Sequence, residues 1–154
     1  MGAKLVVFDL DEFYSAQSMG DLTKLVCQQL SCAAVLITQV TEAQQEILAN
    51  TGLDLPAHFG SSTPLSHSIC QHTAAIDFPL AIDDTIYHPL LRGNMAFPEL
   101  GIAAYLGAPV HVHEGKAIGA LCALEFRQRR WSSQDIELVT EAAKVADRLL
   151  VRSV

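Results

Sequence analysis

The last third of the chain constrains the fold most tightly. Two apolar runs, "IAAYLGAPVHV" and "KAIGALCALEF", meet at Glu114-Gly115 and lead through "RRW" into the long segment "SSQDIELVTEAAKVADRLLV". Strand-like runs joined at an acidic residue followed by glycine form a tight hairpin. The segment after them carries a helix start, with Ser132 as cap, Asp135 at the third helical position, and Trp131 and Ile136 as an apolar staple. Its apolar residues fall into two neighbouring stripes: Ile136, Val139, Ala143, Ala146 and Leu150, then Leu138, Ala142, Val145 and Leu149. One sheet face needs a single stripe. The second is therefore expected to meet a partner helix, and a homodimer paired through terminal helices is the expectation.

Composition limits what such a chain can do. A chain of 154 residues, half of them hydrophobic and 18% charged, suits one packed domain and excludes disorder. A net charge of −7 repels phosphate backbones, so no nucleic-acid partner is expected. The basic cluster Arg127, Arg129 and Arg130 lacks interleaved aromatics and reads as a solvated turn. Leu5 to Phe8 is too short an apolar run for a signal peptide or a membrane span, so no membrane partner is expected. Cys27, Cys32, Cys70 and Cys122 form no CxxC pair and read as reduced thiols, which places the protein in the cytoplasm.

The first half is less regular. "VVFDLDEFY" raises the question of catalytic paired carboxylates, Asp9 and Asp11, of the kind that bind magnesium and phosphate. A translesion polymerase does not fit in this length. A haloacid-dehalogenase phosphotransferase needs a Gly-Thr after Asp11 and parallel α/β crossovers; even with Asp83-Asp84 as a distal acidic pair, neither is present. The stretch reads instead as a helix start, with Asp9 as cap, Glu12 at the third position, and Phe8 and Phe13 as staple. Gly20-Asp21 then punctuates the chain before Leu22, Leu25, Val26 and Leu30 recur at helical spacing. "CAAVLITQV" and "QEILAN" flank a polar turn and form a hairpin. "TPLSHSICQHTAAI" reads as a short helix with Pro64 in its first turn, "PLAIDD" as a brief strand, and Thr85 to Gly101 as an ordered loop with a turn or two of helix.

This order of elements resembles the GAF-domain family of small-molecule sensory modules over about residues 20 to 151. "SICQHTA" is similar to the family's Ser-aromatic-Cys-x-His helix, with Ile69 in the aromatic place. "AAYLGAPVHVHEGKAIGALCALE" is similar to its Gly-Ala-Pro and Ile-Gly-x-Leu-Cys strands, and "RRWSSQDIELV" to its Trp-Ser helix start. The resemblance implies an α+β, profilin-like fold: a central antiparallel sheet, terminal helices on one face and a ligand pocket on the other. It divides the chain into an N-terminal extension with a capped helix start, 1–20, and a GAF-like domain, 21–151.

The same resemblance makes the Thr85 to Gly101 loop the cover of the pocket. It implies His72, Asp83, Arg92, Phe97 and Tyr105 as ligand-binding candidates. Arg92 is singled out because it is the only Lys or Arg between Leu25 and Gly115. No catalytic residue and no metal ligand is assigned. His67, Cys70 and His72 read as a buried thiol with two hydrogen-bonded histidines, and His111 and His113 as exposed strand-end residues. Bilin attachment in some GAF modules uses a Cys followed directly by His; Gln71 breaks that pattern. The cofactor is left unknown. The expected function is non-catalytic sensing of a small molecule, coupled to a separate signalling effector. Two alternatives stay open. One is a ligand-free dimerisation or docking module whose pocket has filled with side chains. The other is a thiol redox enzyme of the free-methionine-sulfoxide-reductase kind, although Cys122 lacks that branch's Cys-Asp and acidic strand motifs.

Overall fold

The fold is that of a computed structural model describing residues 10–112 and 115–153. Phe8 and Asp9 of the opening cap and staple, and His113 and Glu114 of the second hairpin turn, lie outside the described residues. A short helix α1 (Leu10–Tyr14) precedes α2 (Met19–Leu30), and a hairpin follows, β1 (Ala34–Val40) and β2 (Gln44–Thr51). Next come β3 (Ser62–Pro64), a 3-10 turn (Leu65–His67), α3 (Cys70–Ile76) and β4 (Leu80–Ile82). A second 3-10 turn (Pro89–Leu91) and α4 (Ala96–Leu100) lead to β5 (Ala104–His111), β6 (Ala117–Glu125) and α5 (Ser133–Ser153). The strands form one six-stranded sheet in the order β3-β2-β1-β6-β5-β4. Every neighbouring pair is antiparallel.

Strand alternation divides the core between the two sheet faces. Val35, Ile37, Leu106, Val110 and Leu121 pack with α2 and α5, whereas Leu36, Tyr105, Cys122 and Leu124 pack with Ile69 and Cys70 on the other side. Two glycines of the strand motifs are required by close approach. A Cβ on Gly119 would collide with the Thr38 carbonyl of β1, and one on Gly107 would collide with the ring of Tyr105, which leans along β5.

The start of α5 is the capping box read from the sequence: the Asp135 amide donates to Ser132 Oγ and the Ser132 amide to Asp135, each at 3.0 Å. Both of its stripes are covered, but within one chain. Leu138, Val139, Ala142, Ala143, Val145, Ala146, Leu149 and Leu150 are all buried in a cluster shared with Phe13, Leu22 and Val26 of α1 and α2. The expectation of a surplus stripe for a second copy is corrected accordingly: α1 and α2 are the partner helices, and Leu149 faces inward at 7% exposure.

Phe13 and Ala16 are buried in the cluster that α1 and α2 share with α5. Ser18 caps α2 by accepting from the Asp21 amide, one turn earlier than the Gly20-Asp21 punctuation suggests. Pro64 ends β3 instead of starting a helix. It pairs with Gln44 on an edge strand, where a residue without N–H is tolerated.

Candidate functional site

Two neighbouring concavities lie on the α3 face, and both are shaped by how α3 and the 85–101 segment are held together. Ser68 Oγ donates to Gln45 Oε1 at 2.7 Å and accepts from the Gln71 amide at 3.1 Å. Gln71 Nε2 donates back to the carbonyls of Leu65 and Ser68. From the loop, Asn94 Nδ2 donates to the Ser68 carbonyl at 2.9 Å and the Met95 amide to the Ser66 carbonyl at 2.7 Å. His67 is buried, with Nδ1 at 3.0 Å from Ser66 Oγ and Nε2 at 2.6 Å from Glu99 Oε2 on α4. Thr85 Oγ1 donates to the Ile102 carbonyl and closes the other end of the loop. Buried polar groups of this kind are tolerated because each has a partner.

Beneath this stapled loop the interior is nearly full. The cavity lined by Ile69, Cys70, Tyr105, Cys122 and His67 measures about 20 Å³, room for about one water. Tyr105 fills it. The ring is buried, and its hydroxyl lies 2.7 Å from Thr73 Oγ1 and donates to Cys70 Sγ at 3.3 Å. Burial, together with the neighbouring Cys70 and Cys122, pushes the Tyr105 phenol well above its ordinary range.

Outside the loop, between α3 and the Pro89–Leu91 turn, lies an open groove of about 340 Å³. His72, Gln71, Ser66, Arg92 and Asn94 supply its polar lining, and Leu65 and Leu90 its apolar walls. No carboxylate lines it. Arg92 is exposed and makes no ion pair among the described residues. Burial, and then the charge of neighbouring His88, lowers the His72 pKa. A groove with one permanent cation, a histidine, two amides and a hydroxyl can receive a carboxylate or phosphate group.

The five sequence candidates thus separate. His72 and Arg92 converge on the groove, and Tyr105 lies behind α3 in the core. Asp83 sits elsewhere: it accepts from the Trp131 amide through Oδ1 and from the Arg129 amide through its carbonyl, holding the start of α5. Phe97, 38% exposed on α4, lines neither the groove nor the cavity.

Cys70 is a buried thiol and His67 is hydrogen-bonded, to Ser66 and Glu99, whereas His72 lines the groove. Two further sequence expectations change. His111 is held between carboxylates: Nε2 is 2.7 Å from Asp77 Oδ1 and Nδ1 is 3.6 Å from Asp147 Oδ2. Arg129 is a stitch rather than part of a solvated turn. It bonds Glu125 at 2.8 Å and the Leu30 carbonyl at 3.0 Å, and its guanidinium stacks on Trp131.

Solved structures with this architecture share its single-sheet α+β fold. The GAF domain of an Acinetobacter phosphoenolpyruvate-protein phosphotransferase superposes with a TM-score of 0.72 at 15% identity, covering 94% of this chain and 89% of that one. Free methionine-R-sulfoxide reductase from Neisseria meningitidis, in complex with its substrate, gives 0.69 at 15% identity, covering 96% and 84%. The PixJ GAF domain of Thermosynechococcus elongatus, in its blue-light absorbing form, gives 0.67 at 17% identity, covering 98% and 94%. At such identities the likeness shows the fold. A comparison with curated proteins finds no match. The GAF-domain family profile matches residues 19–148, most of the chain, and the protein belongs to the GAF-domain family.

The polar network was missed by sequence reading. His67–Glu99 and Ser68–Gln45 join residues 32 and 23 positions apart, and no local pattern marks either pairing. The single cation in a long stretch without other Lys or Arg was the one signal that did lead to the groove.

Proposed function

We propose that the protein is a non-catalytic sensory GAF module that holds a small anionic molecule in the groove between α3 and the 85–101 loop. The observation that carries this reading is the convergence of Arg92 and His72 on a groove without carboxylates. Its volume of about 340 Å³ is that of a small-metabolite site. Arg92 donates paired hydrogen bonds to the anion and His72 adds charge once protonated.

A route from groove to scaffold supports sensing. Asp77 ends α3 and meets His111 on β5, whose amide donates to Asp147 of α5 at 2.7 Å. Ligand that favours one placement of α3 shifts the population of this linkage and so of α5. A separate effector reads that change. Pairing with a second copy would have to use surfaces other than the two covered stripes of α5.

The filled interior favours a second reading, a ligand-free docking module, because about 20 Å³ admits no organic ligand. A thermal-shift screen with dicarboxylates, sugar phosphates and inorganic phosphate separates the two. An anion at a hundred times its Kd stabilises by about 2.7 kcal/mol, roughly 5 to 10 °C for this size. Arg92→Ala is expected to abolish the shift. Absence of any shift with the unmodified protein, or shifts that survive Arg92→Ala, would overturn the anion reading.

A further inference from the structure

We propose that Cys70 and Cys122 are a reversible oxidation site, converted to a disulfide by hydrogen peroxide. This is independent of the anion groove and needs no turnover of an organic substrate. The two sulfurs stand 3.7 Å apart, one at the start of α3 and the other on β6. Forming the bond brings them to about 2.05 Å, a closure of under 2 Å that side-chain rotation and a small shift of α3 supply. Their surroundings suit a thiolate. The Tyr105 hydroxyl donates to Cys70 Sγ at 3.3 Å and is itself held by Thr73. Burial alone raises the Cys70 pKa, yet hydrogen bonding with Cys122, Thr38 and Tyr105 outweighs it and leaves the thiol more acidic than usual. The Tyr105 donor on Cys70 makes Cys70 the nucleophile and leaves Cys122, which burial pushes the other way, as the resolving thiol.

The adjoining cavity selects the oxidant. It is lined by both cysteines, and about 20 Å³ admits a molecule near the size of water. Hydrogen peroxide, with two oxygen atoms, is the smallest peroxide and needs only a slight widening of that space. The Cys70 thiolate attacks one peroxide oxygen, the O–O bond breaks, and the departing hydroxide takes up a proton as water, leaving a sulfenic acid. Cys122, giving up its proton, attacks the Cys70 sulfur and expels a second hydroxide, which also leaves as water. Two thiols lose two electrons and two protons; one peroxide gains both and becomes two waters. A dithiol reductant reverses the change.

The other two cysteines provide the internal contrast. Cys27 Sγ donates to the Cys32 carbonyl and Cys32 Sγ to the Ala34 carbonyl, and burial pushes the Cys32 thiol up to about 12. These thiols are expected to stay reduced.

The test treats the native protein with hydrogen peroxide, unfolds it, alkylates remaining thiols and maps the peptides by mass spectrometry. The expected result is alkylation at Cys27 and Cys32 only, with a Cys70–Cys122 cross-linked peptide that dithiothreitol releases. In Cys122→Ser, unfolding the peroxide-treated protein in the presence of dimedone should trap Cys70 as the sulfenic acid. In Tyr105→Phe, the pH inflection of the oxidation rate should move upward, because the thiolate has lost a donor. Four alkylated thiols after peroxide treatment of the unmodified protein, a Cys27–Cys32 cross-link instead, or Cys70 oxidised to sulfinic acid without a cross-link would overturn the proposal.

Discussion

The two faces of the sheet are built on different physics. On the α5 face, Val35, Ile37, Leu106, Val110 and Leu121 meet α2 and α5 in an almost wholly apolar layer. On the α3 face, the buried set includes Gln45, His67, Ser68, Thr73, Thr85, Tyr105 and two thiols, joined by hydrogen bonds. Apolar packing gains free energy from area and fails when volume is lost. A polar network stabilises less per contact, and its short elements can re-pair at modest cost. On the proposed reading, one face holds the fold and the other responds to ligand.

Substitutions on the holding face should have the largest effects. Leu149→Glu places an unpaired charge among α1, α2 and α5. It is expected to cost about 4 kcal/mol or more, enough to unfold much of the population, as circular dichroism in urea would show. A folded, fully stable Leu149→Glu protein would mean that the second stripe does face outward and would restore the helix-paired dimer. Leu138→Ala, at a fully buried position, is expected to cost about 3 kcal/mol by the same measurement.

Smaller effects are expected on the responsive face. Tyr105→Phe leaves the Thr73 hydroxyl without its partner and should cost about 1 to 2 kcal/mol. A loss as large as that of Leu138→Ala would erase the distinction between the faces. The smallest effect comes from His72. Its pKa in the fold lies below the ordinary 6.5, so on acidification the unfolded chain takes up this proton before the folded one does. Stability is expected to fall slightly as pH drops below about 6.5, and His72→Gln should flatten that part of the profile.

The same comparison explains what the sequence made legible. The α5 face announces itself through local rules: the Trp131 to Ile136 staple, the Ser132 and Asp135 box, and strand alternation through Leu121 and Ala123 all act over a few residues. What the stripes did not say is which helix covers them, because α1 and α2 lie more than a hundred residues away in the chain. The α3 face depends on pairings between distant residues. The sequence placed Arg92 and His72 on this face, but it could not separate them from Asp83, which Trp131 engages, or from Phe97, which stays at the surface. Pro64 misled because its fixed φ suits a helix start and an edge strand alike.

The central claim, that an anion in the Arg92 groove acts on the α3 face and reaches α5 through His111, is tested most directly by hydrogen–deuterium exchange. The protein would be compared with and without the anion giving the largest thermal shift. Amides of residues 65–72 and 89–95 are expected to exchange more slowly with the anion bound, with a weaker gain around Asp147 and none in β1. Binding without added protection in residues 65–72 and 89–95 would contradict the account.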